Sequence, residues 1–159
     1  MQIKIIAVGK VKEKFYKENI NEFTKRLSKY CSLEIIETKE EKAPDHISDA
    51  DIEIIKNTEG KYILDKVKDN TYVVALAIEG EAITSEALAK QIENLGVQGK
   101  SNIAFIIGGS FGLSKDVLKR ANYLLSFSKM TFPHQLMRVI LLEQVYRSFR
   151  IIKGEPYHK

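Results

Sequence analysis

Two stretches, YVVALAI at 72–78 and NIAFII at 102–107, carry apolar residues at odd and even positions alike. A strand sends successive side chains to opposite faces, so both faces of these segments need apolar cover. That requirement narrows the fold more than any other feature of the chain. It predicts inner strands of a parallel sheet with helices packed on both sides.

The rest of the chain supplies strands and helices in alternation. QIKIIAV (2–8) reads as a first strand, SLEIIE (32–37) as a second, and YLLSFS (123–128) as a last, short one. Between them, Phe15, Tyr16, Ile20, Phe23, Leu27 and Tyr30 recur at helical spacing over 12–30. The polar run TKEEKAPDH reads as a loop, and Ser48 or Asp49 caps a helix towards Asn57 that Gly60 would end. Further helices are expected from Thr84 or Ser85 to about Asn94, over 115–121 with Ser114 as N-cap, and from Pro133 to Ile152 with Gly154 beyond its end. The expectation is a single α/β domain over 1–159. In such sheets ligands sit outside the carboxyl ends of the strands. Three loops are thereby selected: EGEAI after 72–78, GGSFG after 102–107 and KMTF after 123–128.

Charge adds a second constraint. Residues 115–159 carry nine Lys and Arg against three acids, while the remainder is slightly acidic. A basic C-terminal third points to a polyanionic partner, with nucleic acid favoured over a membrane surface, or else to a solvated basic face. The apolar stretches are far shorter than the roughly 20 residues of a membrane span. The apolar N-terminus is too short for a signal peptide and reads as a strand. The single cysteine, Cys31, excludes an internal disulfide and a multi-cysteine zinc site. It fits a reducing, cytoplasmic setting and reads as a half-buried structural thiol.

The glycine turn IIGGSFGLSKD (106–116) admits several chemistries. It is no P-loop, because Leu113 follows Gly112 where a lysine is required, and glycines at 108, 109 and 112 do not match the dinucleotide fingerprint. It does match G-x-S-x-G with Ser110 central, between strand and helix, which is a serine-hydrolase elbow. That reading needs a later acid and then a histidine. Asp116 begins the next helix, while Glu143 and His158 lie on or just after one helix, a poor arrangement for a triad. Alternatively the turn offers its backbone groups to a ligand with no side-chain chemistry.

The segment SFSKMTFPHQLMRVILLEQVYRSFR (126–150) is the second signal. His134 opens its helix, where an imidazole caps or packs. Glu143 and Gln144 interrupt an apolar run and need partners if buried. Arg147, Arg150 and Lys153 form a basic stripe suited to phosphates. The terminal GEPYHK is either a free tail or a site element able to stack on a base and hydrogen-bond it.

Taken together, IGGSFG after a strand, SFSKMTFPHQLMRVILLEQVYRSFRI and the terminal YHK resemble the RlmH family over the whole chain. These are SPOUT-superfamily methyltransferases of ring nitrogen 3 of a pseudouridine in large-subunit (23S) ribosomal RNA. The resemblance implies a C-terminal trefoil knot, a homodimer, and S-adenosylmethionine as methyl donor without a metal. It implies a donor site at Leu76, Gly108 and Phe127, Ser128, Lys129, Met130, Thr131 and Phe132. Tyr157, His158 and Arg147 become the candidates for catalysis, and Arg138, Arg150, Lys153 and Lys159 for RNA contact. An assembled ribosome is the expected substrate. The alternatives are a SPOUT enzyme acting on transfer RNA, a non-enzymatic RNA-binding module, and the serine hydrolase.

Overall fold

The computed structural model describes residues 1–159. Five strands and five helices alternate: β1 (Gln2–Val8), α1 (Lys14–Leu27), β2 (Ser32–Thr38), α2 (Asp49–Leu64), β3 (Tyr72–Ala82), α3 (Ser85–Val97), β4 (Asn102–Ile107), α4 (Lys115–Arg120), β5 (Tyr123–Ser126) and α5 (His134–Ile152). All strand pairings are parallel, in the order β2-β1-β4-β3-β5.

The doubly apolar strands do what their pattern demands. Ile103, Phe105 and Ile107 of β4 face α1, α3 and α5, joined by Ile3, Ile5 and Ala7 of β1. Ala104 and Ile106 face the other way, onto Ile63 of α2 and Val117 of α4. The sheet is therefore the middle of three layers. Burial on this scale contributes roughly 25 cal/mol per Å² of apolar surface, the main driving term of the fold.

Two expected boundaries moved furthest, while β5 ends at Ser126 rather than 128 and α3 runs to Val97 rather than about Asn94. Helix α2 does not stop at Gly60 but continues to Leu64. A methyl group at Gly60 would press into Ser114 Oγ, so the glycine serves close packing of α2 on the start of α4 rather than termination. Strand β3 does not end at Ile78 but runs to Ala82, with a register shift against β5 between Leu76 and Glu81. Residues 77–80 leave the ladder there. Periodicity cannot signal a bulge, because the extra residues depend on the partner strand. No helix is long and apolar enough to cross a membrane.

Arg138 corrects a sequence-based expectation. Expected to contact RNA, it is 1% exposed, the largest fully buried side chain. Its Nη1 donates to Glu37 Oε2 at 2.7 Å, and its Nη2 donates to the carbonyls of Val8 and Gly9 at 3.0 and 2.7 Å. The physical reason is helical phase: Arg138 lies on the same face of α5 as Leu141, Leu142, Val145 and Phe149, all buried against the sheet. The guanidinium ties the start of α5 to the carboxyl end of β1.

Candidate active site

The carboxyl ends of β3, β4 and β5 open into a cavity of about 470 Å³, within the usual range for a small-molecule site. Each selected loop contributes. The departure of β3 from its ladder supplies Ala77, Ile78 and Glu79 next to Leu76. The glycine turn supplies Gly108 to Gly112, and the segment after β5 supplies Phe127, Ser128, Met130, Thr131 and Phe132. Seven of the eight donor-site residues implied by the resemblance thus line one space. Lys129 does not; it is exposed beside the cavity.

The walls are mostly apolar side chains and backbone. Beyond them, Lys56 of α2 and Glu79 supply one charge of each sign, and His134 and Met137 close the α5 side. Lys56 lies outside the three selected loops, and no local pattern in α2 marks it; only the packed fold brings it here. Met130 (74% exposed) and Ile78 (52%) leave large apolar surface at the rim. A methyl group at Gly108 would meet Leu113 Cδ2 at 2.9 Å and the Gly112 backbone at 3.1 Å. That glycine is required by closure of the turn itself. Ser110 is exposed on the turn. The histidine that a hydrolase order would assign to it, His158, is engaged elsewhere.

The second cluster lies further along α5, where Gly154, with φ of +64°, reverses the chain after the helix. The reversal is closed by hydrogen bonds from the Gly154 amide to the Ile151 carbonyl, 3.0 Å, and from the Glu155 amide to the Arg150 carbonyl, 2.9 Å. The tail is consequently packed, not free. Tyr157 sits edge-on against Tyr146 with centroids 4.9 Å apart, and its hydroxyl donates to Glu143 Oε1 at 3.0 Å. Arg147 donates to the same oxygen at 2.5 Å and lies 4.8 Å from the centre of the Tyr157 ring. Gln144 donates to Glu143 Oε2 at 3.0 Å and accepts from Ser85 at 2.7 Å, so both polar residues inside the apolar run are satisfied.

His158 bridges Arg147 and Glu86. Arg147 Nη1 is 3.2 Å from Nδ1, and Glu86 Oε1 is 2.7 Å from Nε2. A guanidinium can only donate and a carboxylate can only accept. The neighbours therefore fix one tautomer, with Nδ1 as acceptor and the proton on Nε2. Glu86 is held below the usual carboxylate range by the amide at its own position and then by His158. Burial, then the bond to Glu143, pushes the Tyr157 phenol up. Glu86 was missed in the sequence because its partner is 72 residues away.

The basic stripe is less free than its spacing suggested. Arg150 pairs with Glu155 and donates to Tyr30 at 3.1 Å and the Pro156 carbonyl at 2.9 Å. Lys153 and Lys159 are exposed. Cys31 is partly buried, and desolvation pushes its thiol up to about 11, so it stays protonated. One chain does not bring the tail cluster to the cavity. Ten residues of helix separate Met137 from Arg147, about 15 Å along the axis.

The family model described as predicted SPOUT methyltransferase matches residues 1–158. The chain belongs to the SPOUT methyltransferase family. Within SPOUT methyltransferases it is similar over its whole length to proteins named ribosomal RNA large subunit methyltransferase H. That of Clostridioides difficile strain 630 is 62% identical, and that of Alkaliphilus oremlandii strain OhILAs is 61% identical. In both pairs the match covers all of each chain. The fold is also that of a solved probable methylase family protein from Haemophilus influenzae Rd KW20, with a TM-score of 0.53 and 12% identity, over 99% of this chain and 70% of that one.

Proposed function

We propose that the protein transfers a methyl group from S-adenosylmethionine to ring nitrogen 3 of a pseudouridine in large-subunit ribosomal RNA. The reading has it acting as a cytoplasmic homodimer on the assembled ribosome. The observation that carries it is the full-length match, at about three residues in five, to relatives named for large-subunit ribosomal RNA methylation. The trefoil knot implied by the resemblance belongs to the same proposal.

The cavity fits the donor by chemistry. Leu76, Phe127, Met130 and Phe132 would flank a flat, uncharged adenine, with backbone groups of the glycine turn beside it. Lys56 and Glu79 would answer the two charges of the amino-acid end. When bound, the donor supplies an electrophilic methyl group on a sulfonium, so alignment does most of the catalytic work.

The acceptor imide must lose a proton. His158 can take one only at Nδ1, where Arg147 now donates. A proton arriving there displaces the guanidinium, which turns to the negative charge developing on the ring carbonyls. Glu86 keeps the imidazole oriented throughout. Tyr157, its phenol proton held tightly, positions and stacks rather than relays. Since cavity and tail are about 15 Å apart along α5, the tail serves the cavity of a second copy across a two-fold interface. Met130 and Ile78 are the exposed apolar surface such an interface would cover.

Calorimetry with S-adenosylmethionine, followed by mass spectrometry of ribosomal RNA treated with the protein, tests the reading. Donor binding and a methyl group on the pseudouridine base are expected. Absence of donor binding, or methylation of transfer RNA instead, refutes it. Mixing subunits lacking Tyr157–Lys159 with subunits defective at Gly108 should restore about a quarter of full turnover through half-complete dimers. No restoration would place the whole site within one chain.

A further inference from the structure

Behind the glycine turn, on the side away from the cavity, lies a feature that the reaction has not yet used. Glu59 of α2 is 3% exposed. Its Oε2 accepts the Glu41 amide at 3.1 Å, while its Oε1 is buried without a hydrogen-bond partner. A methyl group at Gly109 would stand 3.0 Å from Oε1 and 3.2 Å from Oε2, so the carboxyl rests against the turn backbone. Its neighbour Gly60 packs as closely on Ser114 Oγ, which caps α4 by accepting the Val117 amide at 3.2 Å. One dipeptide of α2 therefore presses on both ends of the stretch from Gly109 to Ser114.

The turn is also a thin wall. Ser110 and Phe111 line the 470 Å³ cavity on one side and a hollow of about 540 Å³ on the other. Glu59 is part of that second hollow, together with Glu40, Glu41, Lys12 and Lys42. An alkyl side chain would fill the space behind Gly109 without desolvating a carboxyl. Burial in fact raises the Glu59 carboxyl, opposed in part by the Glu41 amide. Local violations of this kind concentrate where function requires a fixed geometry.

We infer that Glu59 is a positioning residue for the methyl donor: its carboxyl braces the glycine turn from behind and sets where Gly108 presents its backbone to the cavity. The inference rests on the donor-binding reading above. The residue acts through the turn and touches neither donor nor RNA. Its loss weakens donor binding while leaving the chemistry of the bound complex intact.

The test is steady-state transfer to ribosomes at varied S-adenosylmethionine, with calorimetry of the donor alone. Glu59→Ala should raise the donor KM about tenfold or more and leave kcat within roughly threefold, the signature of lost uniform binding. Glu59→Gln, which keeps the shape, should rescue the KM to within about threefold of the parent. Glu59→Asp, one methylene shorter, gives the same split at smaller size if Glu59→Ala does not fold. Gly109→Ala should weaken donor binding about tenfold, and the pair with Glu59→Ala should stay near the tenfold loss of Glu59→Ala alone rather than reach the roughly hundredfold of additive effects, since the second change vacates the space the new methyl needs. An unchanged donor KM in Glu59→Ala or Glu59→Asp, a fall in kcat at constant KM, or additive losses in the pair would overturn the inference. If the parent protein fails to bind donor, the functional reading falls as well. If the parent binds and the variants match it, only the role of Glu59 falls.

Discussion

At the His134 end of α5 the cavity is walled by backbone and apolar side chains; near the Ile152 end the tail is held by hydrogen bonds among Glu143, Arg147, Tyr157, His158 and Glu86. The first region is suited to recognition by shape. Its geometry is fixed by the sheet, the glycine turn and what packs behind them. The second offers directed donors and acceptors, and each side chain's state depends on its neighbours. A binding pocket tolerates substitution so long as volume is kept, whereas a charged network fails when one member is removed.

Removing one region and assaying the other separates the two roles. Deleting Tyr157–Lys159 should lower methyl transfer about a thousandfold, as loss of proton transfer and base orientation together would, and leave donor affinity by calorimetry within about twofold. Retained turnover would show the tail to be a structural strap. Arg138→Ala strands the buried carbonyls of Val8 and Gly9, while Glu37, exposed and still accepting the Val11 amide, loses only its cation. A loss of about 2–4 kcal/mol in denaturant unfolding is expected from the two unpaired carbonyls. The salt dependence of ribosome binding by the folded fraction should not change; a shallower slope would return Arg138 to the RNA surface.

Gly108→Ala puts a methyl group against Leu113 and should cost about tenfold in donor affinity with the tail network intact. Unchanged affinity would remove the turn from the donor site. The smallest effect belongs to Tyr157→Phe, which loses one hydrogen bond worth about 1 kcal/mol. A raised phenol favours the folded state below its ordinary value near 10, and that advantage is lost as pH climbs past it. The variant should therefore be slightly less stable at pH 7 and should destabilise less than the parent above about pH 10. Its pH–rate profile should keep its shape; loss of an alkaline limb would make the phenol a proton carrier.

What could be read in advance divides along the same line. Strands β1 and β4 were legible to the residue because their partners on both faces are generic apolar surface. The three cavity loops followed from a rule about parallel sheets, and the family likeness attached residues to them. The charged network was not legible: Glu86 to His158 spans 72 positions and Arg138 to Val8 spans 130, and no periodicity encodes such pairs. Arg138 misled because a count of basic residues ignores helical phase. Glu59 left no local signal, since its burial comes from a turn 50 residues downstream.

The bonds from Arg138 to Val8 and Gly9 have a kinetic consequence. They join the last helix to the first strand, across nearly the full length of the chain. Closing so long a loop is slow relative to forming the helices and turns within it. Until α5 docks, the carbonyls at the end of β1 have no guanidinium, and the α5 wall of the cavity, with His134 and Met137, is missing. Donor binding during refolding should thus appear in step with the slowest folding phase. The pocket cannot exist on a partly folded chain.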